Sequence, residues 1–328
     1  MNTLLIVDRS LHYLVAGILH AFQKLQIQAW CYEVNSTISL KQQRQDILTL
    51  VKKNHINCCL IINDLCYNQE FFVDESFFRV MQCYLWFVDT AEDIGMKDPC
   101  FHLYKKIFSF EPHDITYYEK IHHRKIQYLP LTMNEQIFSS KFTEEKQFEY
   151  DICFVGLVAG SVKRIELLET VAKYCFAHDK KMICYGHFWH NSHFLQSIAG
   201  ALKFRIKHPV LYKYVMNKKI SPEKASALYR KTRINLNIHV ERHSGFNCRT
   251  FEILGNGNFE LCDSQNPYGM ISLIDGEHLA LYRNEEELLK KINYYLENEK
   301  IRKKIAYNGG KYVNDMYSLE NILSNIFQ

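Results

Sequence analysis

Short apolar runs alternate with amphipathic stretches through the first part of the chain. Short runs of mainly apolar residues are typical of buried strands, and apolar residues that recur every three or four positions are typical of helices that cover a sheet. We predict strands at residues 4–7, 29–34, 58–63, 84–89, 106–110 and 126–131, and helices at residues 11–25, 40–53 and 75–83. This alternation predicts a parallel sheet with helices on both faces.

The same alternation begins again after a polar, charged stretch at residues 134–150, which we take as the boundary between two domains. The predicted strands of the second half are residues 151–156, 181–186, 234–240, 258–263 and 279–282. The predicted helices are residues 162–176, 221–231, 249–254 and 285–297, followed by a helical C-terminal segment that breaks at Gly309 and Gly310. We therefore predict an α/β chain with domains at residues 1–140 and 150–310 and a last helix at residues 311–328.

Composition agrees with a folded, two-domain protein. At 328 residues the chain exceeds the size at which a single core stops growing, and 47% hydrophobic and 23% charged residues are ordinary for globular proteins. The net charge of +4, from 40 basic and 36 acidic residues, carries no nucleic-acid signature. The eleven cysteines are scattered, and several lie in apolar runs, which favours reduced thiols in a cytoplasmic protein.

The chain shows no pattern typical of a membrane span. The apolar run at the N-terminus is too short for a signal peptide and has no basic leader. No apolar stretch approaches the roughly 20 residues needed to cross a bilayer, so any membrane contact would be peripheral. A basic stretch at residues 203–219 could lie on an anionic membrane or contact a lipid-linked acceptor, but a surface helix with snorkelling lysines is the favoured interpretation.

Candidate ligand groups follow the predicted strands of the second half, because open parallel sheets bind ligands at the carboxyl ends of their strands. In residues 156–164 (GLVAGSVKR), Gly156 would let the backbone approach an anion, and the next helix would offer its N-terminus. Lys163 and Arg164 add positive charge. An ordinary turn with exposed basic residues explains the same pattern.

Two more loops have this character. In residues 243–263, Gly245 starts a turn, Arg249 could pair with phosphate, Thr250 could cap the helix, and Glu252 at a helix start could accept sugar hydroxyls. A buried Arg249–Glu252 ion pair is the alternative. The third loop is YGHFWH at residues 185–190, where a glycine again ends a strand.

Histidine spacing suggests zinc, but we predict no metal site. His187, His190 and His193 recur every three residues, and His239 and His243 are four apart. The string HVERH is not the HExxH motif, and no Cys-x-x-Cys pair accompanies it. Solvated or hydrogen-bonded histidines explain the spacing.

Six strings of the second half resemble the CgeB-like (spore-maturation type) branch of the group 1 glycosyltransferases. They are FVGLVAGSVKR, ICYGHFW, SPEKASALYRKTRINLNIHVE, RTFEILGNGNFELCD, DGEHLALYRNEEELLKKINYYLEN and IRKKIAYNGG, in this order over roughly residues 150 to 315. LLIVDRSLHYL, YLWFVDT and KIFSFEPHDI are similar to the first domain of that family. The resemblance implies a GT-B fold, with two Rossmann-like domains whose parallel sheets face a central cleft and a C-terminal helix that returns to the first domain.

The resemblance also implies a function. A protein of this kind moves a sugar from a nucleotide diphosphate sugar to a glycan, protein or lipid-linked acceptor, and we expect retention of configuration without a metal or other cofactor. The alternatives are a nucleotide-sugar epimerase of the same fold and a non-catalytic nucleotide- or sugar-binding subunit. The sugar, the base and the acceptor stay open.

Individual roles are carried over by position. In the wider retaining group, a Glu, seven residues and a second Glu precede a small helix; here Glu252 matches the second Glu, which touches ribose, and Ser244 replaces the first. The implied phosphate contacts come from the basic residues of the first loop, from Arg249, and from Thr250 with its helix N-terminus. Asp89 would be the base if the reaction inverts configuration.

The complete predicted donor site is Gly156, Lys163, Arg164, Tyr185, Gly186, His239, Ser244, Gly245, Phe246, Asn247, Arg249, Thr250 and Glu252. The predicted catalytic residues are Asp89, Arg249 and Glu252, and the predicted acceptor side contains Asp8 and His12.

Overall fold

The computed structural model describes residues 1–63, 76–90, 101–123, 125–139, 147–158, 160–189, 194–241, 243–264 and 271–327. Backbone contacts divide the chain into two compact units. Unit 1 is formed mainly by Met1–Glu135 and Tyr317–Gln328, and unit 2 by Gln136–Asn266 and Ser272–Met316.

Unit 1 contains a parallel sheet. In the described residues its six strands have the order β2-β1-β3-β4-β5-β6. They are β1 (Asn2–Asp8), β2 (Gln28–Val34), β3 (Cys58–Ile62), β4 (Gln82–Phe87), β5 (Lys106–Ser109) and β6 (Gln127–Tyr128). Every residue of the central strand β3 is buried, as expected for a strand covered on both faces.

The described helices of the first part of the chain follow these strands. They are α1 (His12–Lys24), α2 (Leu40–Lys53), α3 (Ser76–Val80), α4 (Pro112–His122) and the short α5 (Glu135–Phe138). Ordinary capping explains where two of them begin: Ser39 Oγ accepts from the N–H of Gln42 at 3.3 Å, and Pro112 occupies the first turn of α4.

Unit 2 repeats the architecture. Within its described part, the strand order is β12-β11-β10-β7-β8-β9, and all pairs are parallel. The strands are β7 (Tyr150–Val155), β8 (Met182–Gly186), β9 (Val215–Asn217), β10 (Thr232–Asn237), β11 (Glu260–Asp263) and β12 (Ala280–Tyr282). The predicted α/β class with two parallel sheets is therefore confirmed.

The helices described in unit 2 are α6 (Val162–Ala177), α7 (Phe194–Lys207), α8 (Pro222–Arg230), α9 (Cys248–Gly255), α10 (Glu285–Glu297) and α11 (Glu299–Met316). The predicted break at Gly309 and Gly310 is wrong, because α11 continues through both glycines. A Cβ atom on Gly309 would lie 2.0 Å from the carbonyl oxygen of His278, so this glycine permits close packing of the helix. A helix over 203–219 is also wrong, because α7 ends at Lys207.

The last helix, α12 (Leu319–Phe327), belongs to unit 1. Its buried residues are Leu319, Ile322, Leu323 and Ile326. The ring of Phe327 lies 5.1 Å from Tyr84 of β4 and 5.8 Å from Phe22 of α1. The chain end therefore completes the core of the unit in which the chain begins. Among the described helices, none has the length and apolar character to cross a membrane.

Candidate functional site

The carboxyl ends of β7 and β8 lie in backbone contact. Gly156 follows β7, and its N–H donates to the carbonyl of Tyr185 at 3.0 Å. A Cβ atom added to Gly186 would lie 2.0 Å from the carbonyl oxygen of Gly156. No side chain fits at that distance, so glycine is required for this approach. The structure thus brings together these three residues of the predicted donor site.

A cavity of about 160 Å³ opens at these strand ends. It is lined by Val155, Gly156, Leu157, Tyr185, Gly186, His187, Lys219 and Ile220. A pocket for a whole small-molecule ligand usually has roughly 300 Å³ or more, so this cavity fits one part of a larger ligand. 

Sequence reasoning missed Lys219 and Ile220, although a signal for them was present. Ser221 caps α8, and its Oγ accepts from the N–H of Lys224 at 3.4 Å. Helices of a parallel sheet begin near its carboxyl edge, so the residues directly before such a cap border the ligand site. The strand before them, β9, has three residues inside a basic stretch and was not predicted.

Arg249 lies beside this cavity, at the second position of α9. Its Nη1 would be 3.4 Å from a Cβ atom on Gly156, so the guanidinium covers the end of β7. The side chain is partly exposed, yet its Nε is buried and makes no hydrogen bond within the described part of the chain. The Tyr229 hydroxyl interacts with this guanidinium, but it does not pair Nε by hydrogen-bond geometry. A buried donor left in this way suits a site that receives an anion.

Glu252 is the fifth residue of α9, one turn after Arg249. Its predicted position at the helix start is wrong, because Asn247 is the N-cap and accepts from the N–H of Thr250 at 3.3 Å. The helix dipole acts mainly on the first turn, so it does not account for Glu252. Burial raises the pKa of the Glu252 carboxyl, and the charge of Arg249 opposes this shift.

The N-terminus of α6, predicted to bind an anion, already holds a carboxylate of the chain. Glu241 accepts from the backbone N–H of Lys163 and from Ser161 Oγ, both at 2.9 Å. Although burial opposes it, these hydrogen bonds lower the pKa of Glu241. Lys163 itself places Nζ 2.5 Å from the carboxylate of Asp263. Glu241 therefore occupies the N-terminus of α6, and Asp263 pairs with Lys163. Both groups were predicted to bind a diphosphate.

Arg164 is buried and holds two loops together. Its Nε donates to the carbonyl of Ile238 at 2.7 Å, and its Nη1 donates to the carbonyl of Leu157. Burial, with the nearby charge of Arg249, lowers the pKa of Arg164 to about 10. This arrangement contradicts both sequence interpretations, a diphosphate contact and an exposed basic turn; Arg164 positions the loop after β7.

His239 is fully buried and connects the end of β10 with its neighbours. Its Nδ1 lies 2.8 Å from Asp263 Oδ1, and its Nε2 accepts from the N–H of Asn247 at 3.2 Å. Burial lowers the pKa of His239, which favours the neutral ring with its proton on Nδ1. Both ring nitrogens are occupied, so the predicted ligand contact by His239 is not supported.

His239, Cys262 and Asp263 place potential metal-binding atoms within 4.8 Å of one another. The hydrogen bond between the histidine and Asp263 uses one carboxylate oxygen, and the Lys163 ammonium uses the other. A cation would compete with both contacts. This cluster is therefore better described as a hydrogen-bonded brace than as a metal centre.

A second buried network lies under α9. Glu260 is fully buried, and its Oε1 accepts from Asn237 Nδ2 at 2.8 Å and from Thr250 Oγ1 at 2.9 Å. Burial raises the pKa of Glu260 to about 7. Thr250 therefore directs its hydroxyl to Glu260 and not to a phosphate, which corrects its predicted role. Sequence reasoning missed Asn237 and Glu260; their polar side chains in otherwise apolar strands were the available signal.

The loop before α9 contains the remaining predicted residues. Gly245 and Phe246 are buried, and Ser244 is partly exposed. Asn247 exchanges hydrogen bonds with Asn237, at 3.0 and 3.1 Å. The loop is thus anchored by the N-cap residue Asn247, and Gly245 and Phe246 are too buried to meet a ligand.

Comparison with known proteins identifies the family. A family model described as "Glycosyl transferase-like" matches residues 164–328, which is half of the chain. The chain belongs to this glycosyl transferase-like family. No curated protein sequence matches the chain.

Solved structures share the fold of this glycosyl transferase-like protein. Sucrose-phosphate synthase from Thermosynechococcus elongatus is 11% identical with a TM-score of 0.67, covering 100% of this chain and 98% of the other. A glycosyltransferase from Rickettsia africae is 13% identical with a TM-score of 0.65, covering 99% and 96%. Anabaena HepE in complex with UDP is 11% identical with a TM-score of 0.61, covering 100% and 98%. The predicted GT-B fold is confirmed, whereas the CgeB-like branch stays a prediction.

In unit 1 of the glycosyl transferase-like protein, the predicted base Asp89 and the predicted acceptor-side residues Asp8 and His12 follow parallel strands. Asp89, after β4, accepts from Asn63 Nδ2 at 2.7 Å. Asp8, at the end of β1, caps a 3₁₀ turn by accepting from the N–H of Ser10 at 2.8 Å. His12 Nδ1 lies 2.8 Å from Glu33. Asn63, which orients Asp89, was missed by sequence reasoning.

The histidines that the sequence spaces regularly have different surroundings in the structure. His187 lines the cavity, while His190 and His193 lie outside the described residues. His239 is buried in its brace, and His243 is partly exposed. The regular spacing of these histidines therefore does not reflect one shared site among the described residues.

Proposed function

We propose that this protein transfers a glycosyl group from a nucleotide diphosphate sugar to an acceptor. The observation that carries the proposal is the Arg249 guanidinium, which covers Gly156 beside a cavity and has an unpaired, buried Nε. Membership of the glycosyl transferase-like family supports it. So does the fold shared with Anabaena HepE, a protein solved with UDP and with UDP-glucose.

Each part of the donor has a proposed place in unit 2. The base enters the cavity between Tyr185 and Ile220, because the cavity volume of about 160 Å³ suits one ring system. The diphosphate contacts Arg249 and the N-terminus of α9, because a guanidinium and the positive end of a helix favour anions there. The ribose hydroxyls meet Glu252.

The chemistry asked of these residues is mainly electrostatic. When the glycosidic bond to the donor breaks, negative charge grows on a phosphate oxygen of the departing nucleoside diphosphate. A guanidinium and backbone N–H groups that are already in place stabilise that charge without reorganisation. We propose retention of configuration and no metal requirement; if the reaction inverts configuration, Asp89 is the proposed base.

Calorimetric titration with UDP tests the phosphate role of Arg249. Replacing Arg249 by Ala should weaken UDP binding by about 1.5 to 3 kcal/mol, the range for a hydrogen bond to a charged group. Arg233→Ala is the matched control, because Arg233 pairs with Asp151 at 2.7 Å, near the amino ends of β7 and β10. Equal UDP affinity in the parent and a folded Arg249→Ala variant would remove the proposed site.

A second titration tests Glu252. If its carboxylate accepts the ribose hydroxyls, Glu252→Gln should lose affinity for UDP and lose much less for inorganic diphosphate, which has no ribose. A purely structural role predicts a lower thermal stability with both ligands affected alike. Equal losses would therefore refute the ribose assignment.

Product analysis separates transfer from the other activities. The parent protein is incubated with a panel of nucleotide sugars and with glycan, peptide and lipid-linked acceptors. Sugar transfer, or slow donor hydrolysis, supports a transferase. An epimerised donor identifies an epimerase, and binding without any turnover identifies a non-catalytic subunit; either result would overturn the proposal.

A further inference from the structure

One helix of unit 2 exposes a continuous apolar stripe. Along α7, Leu195, Ile198, Leu202 and Ile206 are 77%, 53%, 57% and 75% exposed. Their spacing of three, four and four residues places them on one face of the helix. Single exposed apolar residues are ordinary, but four on one helix face form a patch that marks an interaction surface. We name these four residues the α7 stripe.

The α7 stripe is not an unfinished part of the core, because α7 already has a buried face. Phe204 lies on the opposite side of the helix and is 7% exposed. Its ring packs 5.7 Å from Phe188 and 5.3 Å from Trp189. The helix is therefore anchored in unit 2 by one face and presents the stripe on the other.

Positive charge flanks the stripe on both sides. At 100° per residue, Arg205 lies along one edge, and Lys203 and Lys207 lie along the other; all three are exposed. The helix contains no acidic residue. In the sequence, residues 180–222 contain no Asp or Glu and eight basic residues, Lys180, Lys181, Lys203, Arg205, Lys207, Lys213, Lys218 and Lys219.

This combination defines the chemistry of the partner. Leucine and isoleucine side chains favour an apolar environment, whereas the flanking cations favour a negative one. The surface of an anionic bilayer offers both, with acyl chains below a layer of charged headgroups. A nucleic acid would satisfy the cations but leave the stripe in water.

We infer that α7 is an interfacial helix that seats unit 2 on an anionic membrane surface, with the α7 stripe in the acyl boundary and its flanking cations on lipid headgroups. The inference is independent of the proposed sugar transfer, since no α7 residue lines the described donor cavity. It also differs from the basic stretch considered in the sequence, because the apolar residues of the stripe begin at Leu195, ahead of that stretch.

Vesicle flotation of the full-length protein tests the inference. The probes are phosphatidylcholine vesicles and vesicles of phosphatidylcholine mixed with phosphatidylglycerol. The parent should float with the anionic vesicles and not with the zwitterionic ones, and raising the salt concentration should weaken binding. Replacing Leu202 and Ile206 together by Gln should lower the partition coefficient by at least about tenfold.

The charge contribution is tested separately. Replacing Arg205 and Lys207 together by Gln should lower partitioning by about 25-fold, from roughly fivefold for each cation near an anionic surface. Leu48→Gln with Ile121→Gln is the matched control, since both residues are exposed apolar positions of unit 1. All variants change exposed side chains, so their thermal stability and UDP affinity should match the parent.

Two outcomes would overturn the inference. One is a parent protein that does not float with anionic vesicles, or a Leu202→Gln, Ile206→Gln variant that floats as well as the parent. The other is self-association of the parent in sedimentation experiments that this variant abolishes, without lipid binding. That result would assign the α7 stripe to an interface between copies of the chain.

Discussion

Glu260→Gln tests the buried network under α9 by removing one ionisable group. In the structure, Glu260 Oε1 accepts from Asn237 and Thr250, whereas Oε2 makes no hydrogen bond within the described part of the chain. The amide oxygen of Gln can accept the same two hydrogen bonds. The variant therefore keeps the shape and the hydrogen bonds of Oε1 but cannot ionise.

The direction of the pH effect follows from the pKa of Glu260. Burial raises this pKa from 4.5 to about 7, so between these values the folded chain keeps a proton that the unfolded chain has lost. Stability conferred by this group therefore falls as the pH rises through that interval. A difference of this size corresponds to about 3 kcal/mol. The amide nitrogen of Gln takes the place of Oε2, which has no partner in the parent either, and its desolvation cost of about 1 to 3 kcal/mol does not change with pH.

The difference in the free energy of unfolding, Glu260→Gln minus parent, should become more positive by about 3 kcal/mol as the pH rises from about 4.5 to about 8. The measurement is urea unfolding of unit 2, followed by fluorescence of Trp189 after Trp30 and Trp86 are replaced by Phe. His239 acts in the opposite direction, since burial lowers its pKa and its contribution is lost as the pH falls below 6.5. Both proteins keep His239, so its effect cancels in the difference.

Stability profiles that stay parallel across this pH range would refute the raised pKa of Glu260. Parallel profiles would mean that Glu260 is ionised in the folded protein throughout and that its charge is compensated by its surroundings. The network would then be an ion-stabilised one, and the proximity of Arg249 would be its most direct explanation.

Three further changes probe packing and capping. Gly186→Ala places a Cβ atom 2.0 Å from the carbonyl oxygen of Gly156, so we expect about 1 to 3 kcal/mol of destabilisation and weaker UDP binding by calorimetry; unchanged binding would contradict the cavity assignment. Leu323→Ala removes a fully buried side chain of α12 and should destabilise unit 1 by about 2 to 5 kcal/mol in urea unfolding, with no loss if α12 is detached. Ser161→Ala removes the N-cap of α6 and should lower stability by about 0.5 to 2 kcal/mol, whereas an unchanged melting temperature would show the cap to be dispensable.

Local patterns in the sequence are sufficient to predict much of the fold. Strands such as Cys58–Ile62 and Tyr150–Val155 are short apolar runs, and their burial on both faces follows from that pattern. The glycines after β7 and at the end of β8 were identified because glycine at a strand end permits close approach. The break predicted at Gly309 and Gly310 failed for a related reason: glycine lowers helix propensity locally, but packing against His278 decided the outcome.

The roles of the charged residues depended on contacts far apart in the chain. Lys163, Arg164 and Arg249 are three cations that follow strands of one sheet, and sequence patterns predict one role for all three, binding a diphosphate. Lys163 instead meets Asp263, 100 positions away, and Arg164 meets the carbonyl of Ile238, 74 positions away. Of these three cations, Arg249 is the one whose buried Nε makes no hydrogen bond within the described residues.

The sequence by itself determined the class of the fold, the carboxyl edge at which ligand groups gather and the family resemblance, because all three rest on local periodicity and short motifs. Only the tertiary structure decided which of those groups remain available. Hydrogen bonding and ion pairing are settled by distance in space, and a folded sheet joins strand ends that lie far apart along the chain. Whether Glu241 or a ligand occupies the N-terminus of α6 is therefore decided by the fold, not by the local sequence.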